Sequence, residues 1–168
     1  MPKESDKQVS QRIELHSCKV GALITDIADN PGQVSNPLFV YGRKGCGKTE
    51  LMEIVERLIH KKHPEKIVMC VKEEIFIEEL ILNIRDGKLD KFHRKYRNAD
   101  VFILDDVHRI SGKNVTQEEV LNIFDSLYNV HKQLVFSSAI EPRKLDIRKD
   151  LRNRLQSGII VNLNDTYR

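Results

Sequence analysis

Apolar residues in this chain follow two alternating patterns. Short segments that open on consecutive apolar side chains, many of them β-branched or aromatic, occur at residues 38–41, 67–71, 101–106, 134–138 and 159–163. Between them, apolar positions recur every three or four residues, the spacing of a helix that buries one face. Such stretches are residues 12–28 (Val20, Leu23, Ile24, Ile27, Ala28), 48–61 (Leu51, Ile54, Val55, Leu58), 74–85, 88–97 (Leu89, Phe92, Tyr96), 116–131 (Val120, Leu121, Phe124, Leu127, Tyr128) and 145–155. Punctuation agrees: Asp29-Asn-Pro-Gly32 ends the first stretch, His63-Pro64 the second, and Asp86-Gly87 divides the third from the fourth. Thr116-Gln-Glu-Glu119 reads as a capping box with Thr116 as N-cap and Glu119 at N3. Unbroken apolar strands, Ile67-Val-Met-Cys-Val71 among them, suit a sheet covered on both faces. Strands alternating with helices then predict an α/β fold, a five-stranded parallel sheet with helices on both faces.

Chemistry concentrates where the first strand ends. Gly42-Arg-Lys-Gly-Cys-Gly-Lys-Thr49 has the form G-x-x-x-x-G-K-T between a predicted strand and a predicted helix, the order that a phosphate-binding loop requires. Gly42, Gly45 and Gly47 allow the backbone to turn successive N–H groups inward, and Cys46 lies among them. Lys48 supplies a charge for β- and γ-phosphates, Thr49 a hydroxyl for Mg²⁺, and the helix start a positive dipole end. The fold is therefore expected to be a P-loop NTPase. Val101-Phe-Ile-Leu-Asp-Asp106 adds a buried strand ending in two carboxylates, the pattern of a Walker B element. Ligands gather beyond the carboxyl ends of parallel strands, so both motifs belong to one site.

Composition narrows the class. The 168 residues suit one domain, with 40% hydrophobic and 32% charged residues, and no stretch approaches the length of a membrane span. Residues 1–11 are polar and read as a flexible segment without the apolar core of a signal peptide, so a cytoplasmic location is expected. Cys18, Cys46 and Cys70 are odd in number and lack C-x-x-C spacing, which argues against a disulfide framework or a zinc site. Cys46 is either a small apolar filler or an oxidation-sensitive thiol. Net charge is only +3, yet basic residues crowd residues 85–97 and 143–154; each cluster read alone is a solvated helix face.

Six stretches occur in one order: Asp29-Asn-Pro-Gly32, Asn36-Pro-Leu-Phe-Val-Tyr-Gly42, Gly45-Cys-Gly-Lys-Thr49, Phe102-Ile-Leu-Asp-Asp106, Thr116-Gln-Glu-Glu119 and Leu151-Arg-Asn-Arg-Leu155. Together, from about Val20 to Leu163, they resemble the AAA+ core of the DnaA family of bacterial replication initiators and its shorter Hda-type relatives. The resemblance implies that Lys48 and Thr49 hold ATP or ADP with Mg²⁺, that Asp105 helps position the metal and that Asp106 orients the attacking water. It makes Arg154 an arginine finger reaching the γ-phosphate of a neighbouring protomer, and places Lys113 in a loop that faces single-stranded DNA. Three departures stand out: Ala139 occupies the position of a polar sensor, with Ser137 and Ser138 as neighbouring substitutes; Val115 replaces a basic residue; and no aromatic-and-glycine adenine motif is visible between Lys7 and Ser17. The expected organisation is a flexible segment at 1–11 and an AAA+ core at 12–168 without a helical lid, a second arginine sensor or a helix-turn-helix domain.

Several functions compete on these grounds. The first is a nucleotide-dependent switch that assembles with like subunits or a full-length DnaA-type initiator, in replication initiation or its regulation, with weak ATP hydrolysis at most. Another is a non-catalytic remnant that binds and modulates an initiator. A third is a small P-loop kinase, against which the paired Asp105 and Asp106 favour water activation over a defined acceptor. Single-stranded DNA binding through Lys113 and residues 88–97 is compatible with the first two.

Overall fold

The computed structural model describes residues 18–164. The expectations for residues 1–11, for the start of the first helix at 12–17 and for the adenine motif lie outside them. In chain order the elements are α1 (Cys18–Asp29), β1 (Leu38–Tyr41), α2 (Lys48–Lys62), β2 (Val68–Lys72), α3 (Glu73–Arg85), α4 (Leu89–Arg97), β3 (Val101–Asp105), α5 (Asn114–Tyr128), β4 (Gln133–Ser138), α6 (Lys149–Leu155) and β5 (Ile159–Asn162). Short 3₁₀ turns at Val107–Ile110 and Pro142–Lys144 complete the path. The strands form one five-stranded sheet in the order β2-β3-β4-β1-β5, and every pairing is parallel.

Alternation along the strands divides the core in two. Leu38 and Val40 of β1, Val101 and Ile103 of β3 and Val135 of β4 point to the face covered by α1 and α2, against Val20, Ile24, Ile27, Leu51, Val55 and Ile59. Phe39, Phe102, Leu104, Leu134 and Phe136 point the other way, under α3 to α6. On that face Phe76, Phe92, Tyr96, Phe102 and Phe136 meet ring to ring at centroid distances of 4.8–6.3 Å, largely edge-on or tilted. Edge-to-face contacts add about 1 kcal/mol each beyond burial, and they anchor the α3–α4 pair to β3.

Three local expectations need correcting. β2 is an edge strand, and Val68, Met69, Cys70 and Val71 are half-buried instead of covered on both faces. Thr116 is not an N-cap: α5 starts at Asn114 behind Lys113, and Thr116, Gln117 and Glu119 are buried. Tertiary partners outweigh the local box there. Glu119 meets His93 Nε2 at 2.7 Å, while the Gln117 amide donates to Ile110 O and accepts from Arg148 N. Finally, residues 145–148 are not helical, because Leu145 and Ile147 insert into the core before α6 begins.

Candidate nucleotide-binding site

β1 delivers the chain to its C-terminal end beside β4, and the ladder continues one step as Gly42 N–H donates to Ser138 O at 3.1 Å. The loop then turns, with Cys46 N–H donating to Arg43 O at 3.2 Å. Gly47 adopts φ 93° as the N-cap of α2, a left-handed conformation that a side chain strains. A Cβ on Gly42 would lie 2.6 Å from Cys46 Sγ, so that glycine is required by close approach. The first bond of α2 runs from Leu51 N–H to Gly47 O, which leaves the amides at the helix start without intrahelical partners.

Lys48 is buried, and its Nζ donates to Gly42 O at 2.8 Å and Arg43 O at 3.0 Å, closing the loop over its own carbonyls. Thr49 Oγ1 donates to Asp105 Oδ2 at 2.7 Å, joining the loop to the tip of β3. Ser137 on β4 donates to the other carboxylate oxygen, Oδ1, and accepts the Asp106 N–H at 2.9 Å. That second bond holds Asp106 in a left-handed conformation, φ 62° and ψ 40°, which turns the chain out of the strand. A cleft of about 620 Å³ opens here, lined by Lys44, Gly45, Gly47, Lys48, Thr49, Glu50, Asp106, His108, Arg109 and Ala139. Three permanent cations face two carboxylates along it, a balance that favours an anion.

The structure thus gathers Gly45, Gly47, Lys48, Thr49, Asp105 and Asp106 at one place. Gly42 and Cys46 stand behind the cradle; Cys46 is packed into the core, in keeping with the filler reading. Ser137 and Ser138 are committed to internal bonds, Ser138 pairing with Ile140 O at 2.6 Å, so neither takes the place of a polar group at Ala139. Arg154 lies apart from the cleft, half-exposed, with Nε donating to Asp125 Oδ1 at 2.8 Å. Lys113 is also apart: its ammonium pairs at 2.7 Å with Glu73, a carboxylate only 3% exposed, and Arg109 approaches the same group at 3.8 Å. In the basic clusters, Lys95 pairs with Glu79 and Arg148 with Asp150, as solvated helix faces do.

Sequence reasoning missed His108 and Arg109. Both follow Asp106 closely, but only its left-handed turn brings the Val107–Ile110 segment over the strand ends. Burial holds His108 below the ordinary histidine value; Asp106, 3.9 Å from Nδ1, opposes this, while the charges of Lys48 and Arg109 reinforce it.

The residues fit a Mg²⁺-bound polyphosphate. Thr49 and Asp105 offer hard oxygen ligands in contact with one another, as befits an ion that keeps waters and phosphate oxygens for its remaining positions. Among the described residues there is no group of three or more His, Cys, Asp and Glu able to hold a metal without such a ligand. No helix among them is long and apolar enough to cross a membrane.

A family model described as the bacterial DnaA ATPase domain matches residues 17–162. The chain belongs to this family. The chromosomal replication initiator protein DnaA of Caldanaerobacter subterraneus subsp. tengcongensis is 40% identical over 138 residues, which cover 82% of this chain and 31% of that protein. The chain therefore spans about a third of the length of the curated DnaA relatives it matches. Among solved structures, domain III of the Thermotoga maritima DnaA superposes with a TM-score of 0.81 at 34% identity, covering 84% of this chain and 59% of that one. A DnaA described as bound to AMPPCP and single-stranded DNA gives 0.82 at 31% identity, covering 88% of this chain and 46% of that one. The five-stranded AAA+ sheet expected from the sequence is the one observed.

Proposed function

We propose that this chain binds ATP or ADP with Mg²⁺ between β1 and α2. The bound nucleotide sets how the chain assembles with like subunits or with a full-length DnaA-type initiator, in replication initiation or its regulation. The observation that carries this reading is the junction of loop and strand: Lys48 closes the loop while the Thr49 hydroxyl meets Asp105 at 2.7 Å. A triphosphate lying in the cleft would meet the amides that open α2, with Lys48 beside its β- and γ-phosphates. Thr49 and Asp105 would hold Mg²⁺, whose chemistry is to neutralise charge on the β- and γ-oxygens. Asp106, which lines the same cleft, would orient a water at that end, and Arg154, outside the cleft and half-exposed, would serve a neighbour's site after leaving Asp125. The solved DnaA with AMPPCP supports the choice of nucleotide.

Calorimetric titration with Mg²⁺ tests the reading. Wild type is expected to bind ATP and ADP saturably, and Lys48→Ala to bind both at least about 100-fold more weakly, since a charge-assisted contact and the loop closure go together. Absence of saturable binding by wild type, or affinity unchanged in Lys48→Ala, would remove it.

A non-catalytic modulator is the second reading, favoured by Ala139, whose methyl group offers nothing to a phosphate or to water. Arg154→Ala tests this reading: a modulator that presents Arg154 in trans loses its effect on an initiator's ATP hydrolysis while keeping its own nucleotide affinity. Single-stranded DNA binding remains part of the proposal with a cost attached, since Lys113 must release a buried carboxylate to reach a phosphate.

A further inference from the structure

The wall of the cleft built from the ends of β3 and β4 carries a polar group that neither strand supplies directly. Ala139 contributes no side-chain donor, but its backbone N–H donates to His108 Nδ1 at 3.1 Å. A backbone amide only donates, so Nδ1 accepts and the proton of the neutral ring resides on Nε2. Among the described residues Nε2 has no hydrogen-bond partner, and His108 lines the cleft beside Lys48, Thr49 and Asp106. An Nδ1 that accepts this bond carries no proton, so the ring is neutral in this arrangement, and burial, which lowers its basicity, acts in the same direction. This wall adjoins the Thr49–Asp105 contact, the pair that would hold Mg²⁺. Arg109 shares the cleft, but its guanidinium is drawn toward Glu73.

We propose that His108 reads the γ-phosphate: the Ala139 amide fixes its tautomer, and Nε2–H donates to a terminal phosphate oxygen, so that the site prefers a nucleoside triphosphate to a diphosphate. The inference rests on the nucleotide reading above and adds a specificity-determining residue to it. A diphosphate ends short of this donor and gains nothing from it. A histidine two positions beyond an Asp-Asp strand end thereby takes over a task that position 139 cannot perform with a methyl group.

Calorimetry with Mg²⁺·AMPPCP and Mg²⁺·ADP on wild type, His108→Phe, His108→Ala and His108→Gln tests the proposal. His108→Phe keeps the bulk of the ring and removes the donor; it and His108→Ala should bind AMPPCP about tenfold or more weakly, as expected for loss of a hydrogen bond to a charged group, with ADP affinity changed less than about twofold. His108→Gln restores a neutral N–H of similar reach and should stay within about threefold of wild type for AMPPCP. Retained ADP binding shows that each variant is folded; should His108→Ala fail to fold, the Phe and Gln variants decide. Equal losses for the two nucleotides, or unchanged AMPPCP affinity in His108→Phe, overturn the proposal. If wild type binds both nucleotides equally, His108 reads nothing although the nucleotide site stands; if it binds neither, the parent reading has failed as well.

Discussion

The two ends of the sheet use polar residues in opposite ways. At the amino end, Gln133 is fully buried: its Oε1 accepts Gly32 N–H at 2.9 Å, and its Nε2 donates to Leu134 O at 3.1 Å and Ser35 O at 3.3 Å. Asn36 accepts Leu134 N–H and donates to Lys132 O, and Asp100 accepts Ile67 N–H and the Lys132 ammonium. Each of these side chains ties one segment of chain to another. At the carboxyl end, Lys48, Thr49, Asp105 and Ser137 are also paired, but they border an open cleft beside a left-handed Asp106. A non-glycine residue in that conformation costs on the order of 1 kcal/mol, and His108 Nε2 has no hydrogen-bond partner among the described residues. The closed end stores stability, whereas the open end holds polar atoms ready for a ligand. Substitutions at the two ends should therefore separate stability from nucleotide affinity.

The largest effect on folding is expected from Gln133→Ala. It leaves the Gly32 N–H buried without an acceptor and opens a cavity under β4, together worth about 3 kcal/mol. Denaturant unfolding should show that loss, while nucleotide affinity measured under folding conditions stays within about twofold of wild type. A similar stability loss accompanied by tenfold weaker ATP binding would show that the two ends are not independent.

Ser137→Ala probes the open end with a smaller change. The hydroxyl is fully buried, yet it serves Asp105 and the Asp106 amide, so its removal should cost about 2 kcal/mol of stability. Unlike Gln133→Ala, it should also weaken Mg²⁺-dependent nucleotide binding, by about tenfold, because Asp105 and Asp106 lose the group that orients them. Titrations with and without Mg²⁺ provide the measurement. Should the variant lose stability alone, Ser137 belongs with the closed end.

How much of this was legible in the sequence follows from the range of the interactions involved. The strands and most helices were readable because burial of one face is a local, periodic constraint, and the loop at Gly42 to Thr49 because its chemistry is contiguous. Thr116-Gln-Glu-Glu119 misled because a capping box is also a run of four polar side chains, and here His93, Ile110 and Arg148 take Glu119 and Gln117 instead. His108 was invisible for a related reason. Its role depends on a left-handed turn at Asp106 and on an amide 31 residues away, and no spacing rule connects positions 108 and 139. Lys113, which the resemblance puts in a loop facing single-stranded DNA, pairs with Glu73, a partner 40 residues away that no local pattern announces.

The smallest effect is expected at Asp100, where the sign of the pH dependence is fixed by its partners. Burial by itself would raise the pKa of this carboxyl, but the Lys132 ammonium and the Ile67 amide outweigh it and hold the group below the usual carboxylate range. A carboxylate whose folded value is depressed contributes stability above its unfolded value of about 3.9, and that contribution disappears as pH falls through the lower folded value. Asp100→Asn keeps an acceptor for Ile67 N–H but removes the charge, so it should be less stable than wild type by about 1 kcal/mol at pH 7. The gap should stay level down to about pH 5, shrink below pH 4 and close once both chains are neutral at this position. Subtracting the two unfolding curves isolates Asp100 from the other carboxylates that titrate over the same range. A gap that persists undiminished well below the unfolded value would assign the loss to packing or hydrogen-bond geometry instead of charge. The amino end would then owe its closure to shape alone, and the contrast with the charged, open end would be one of chemistry as well as of access.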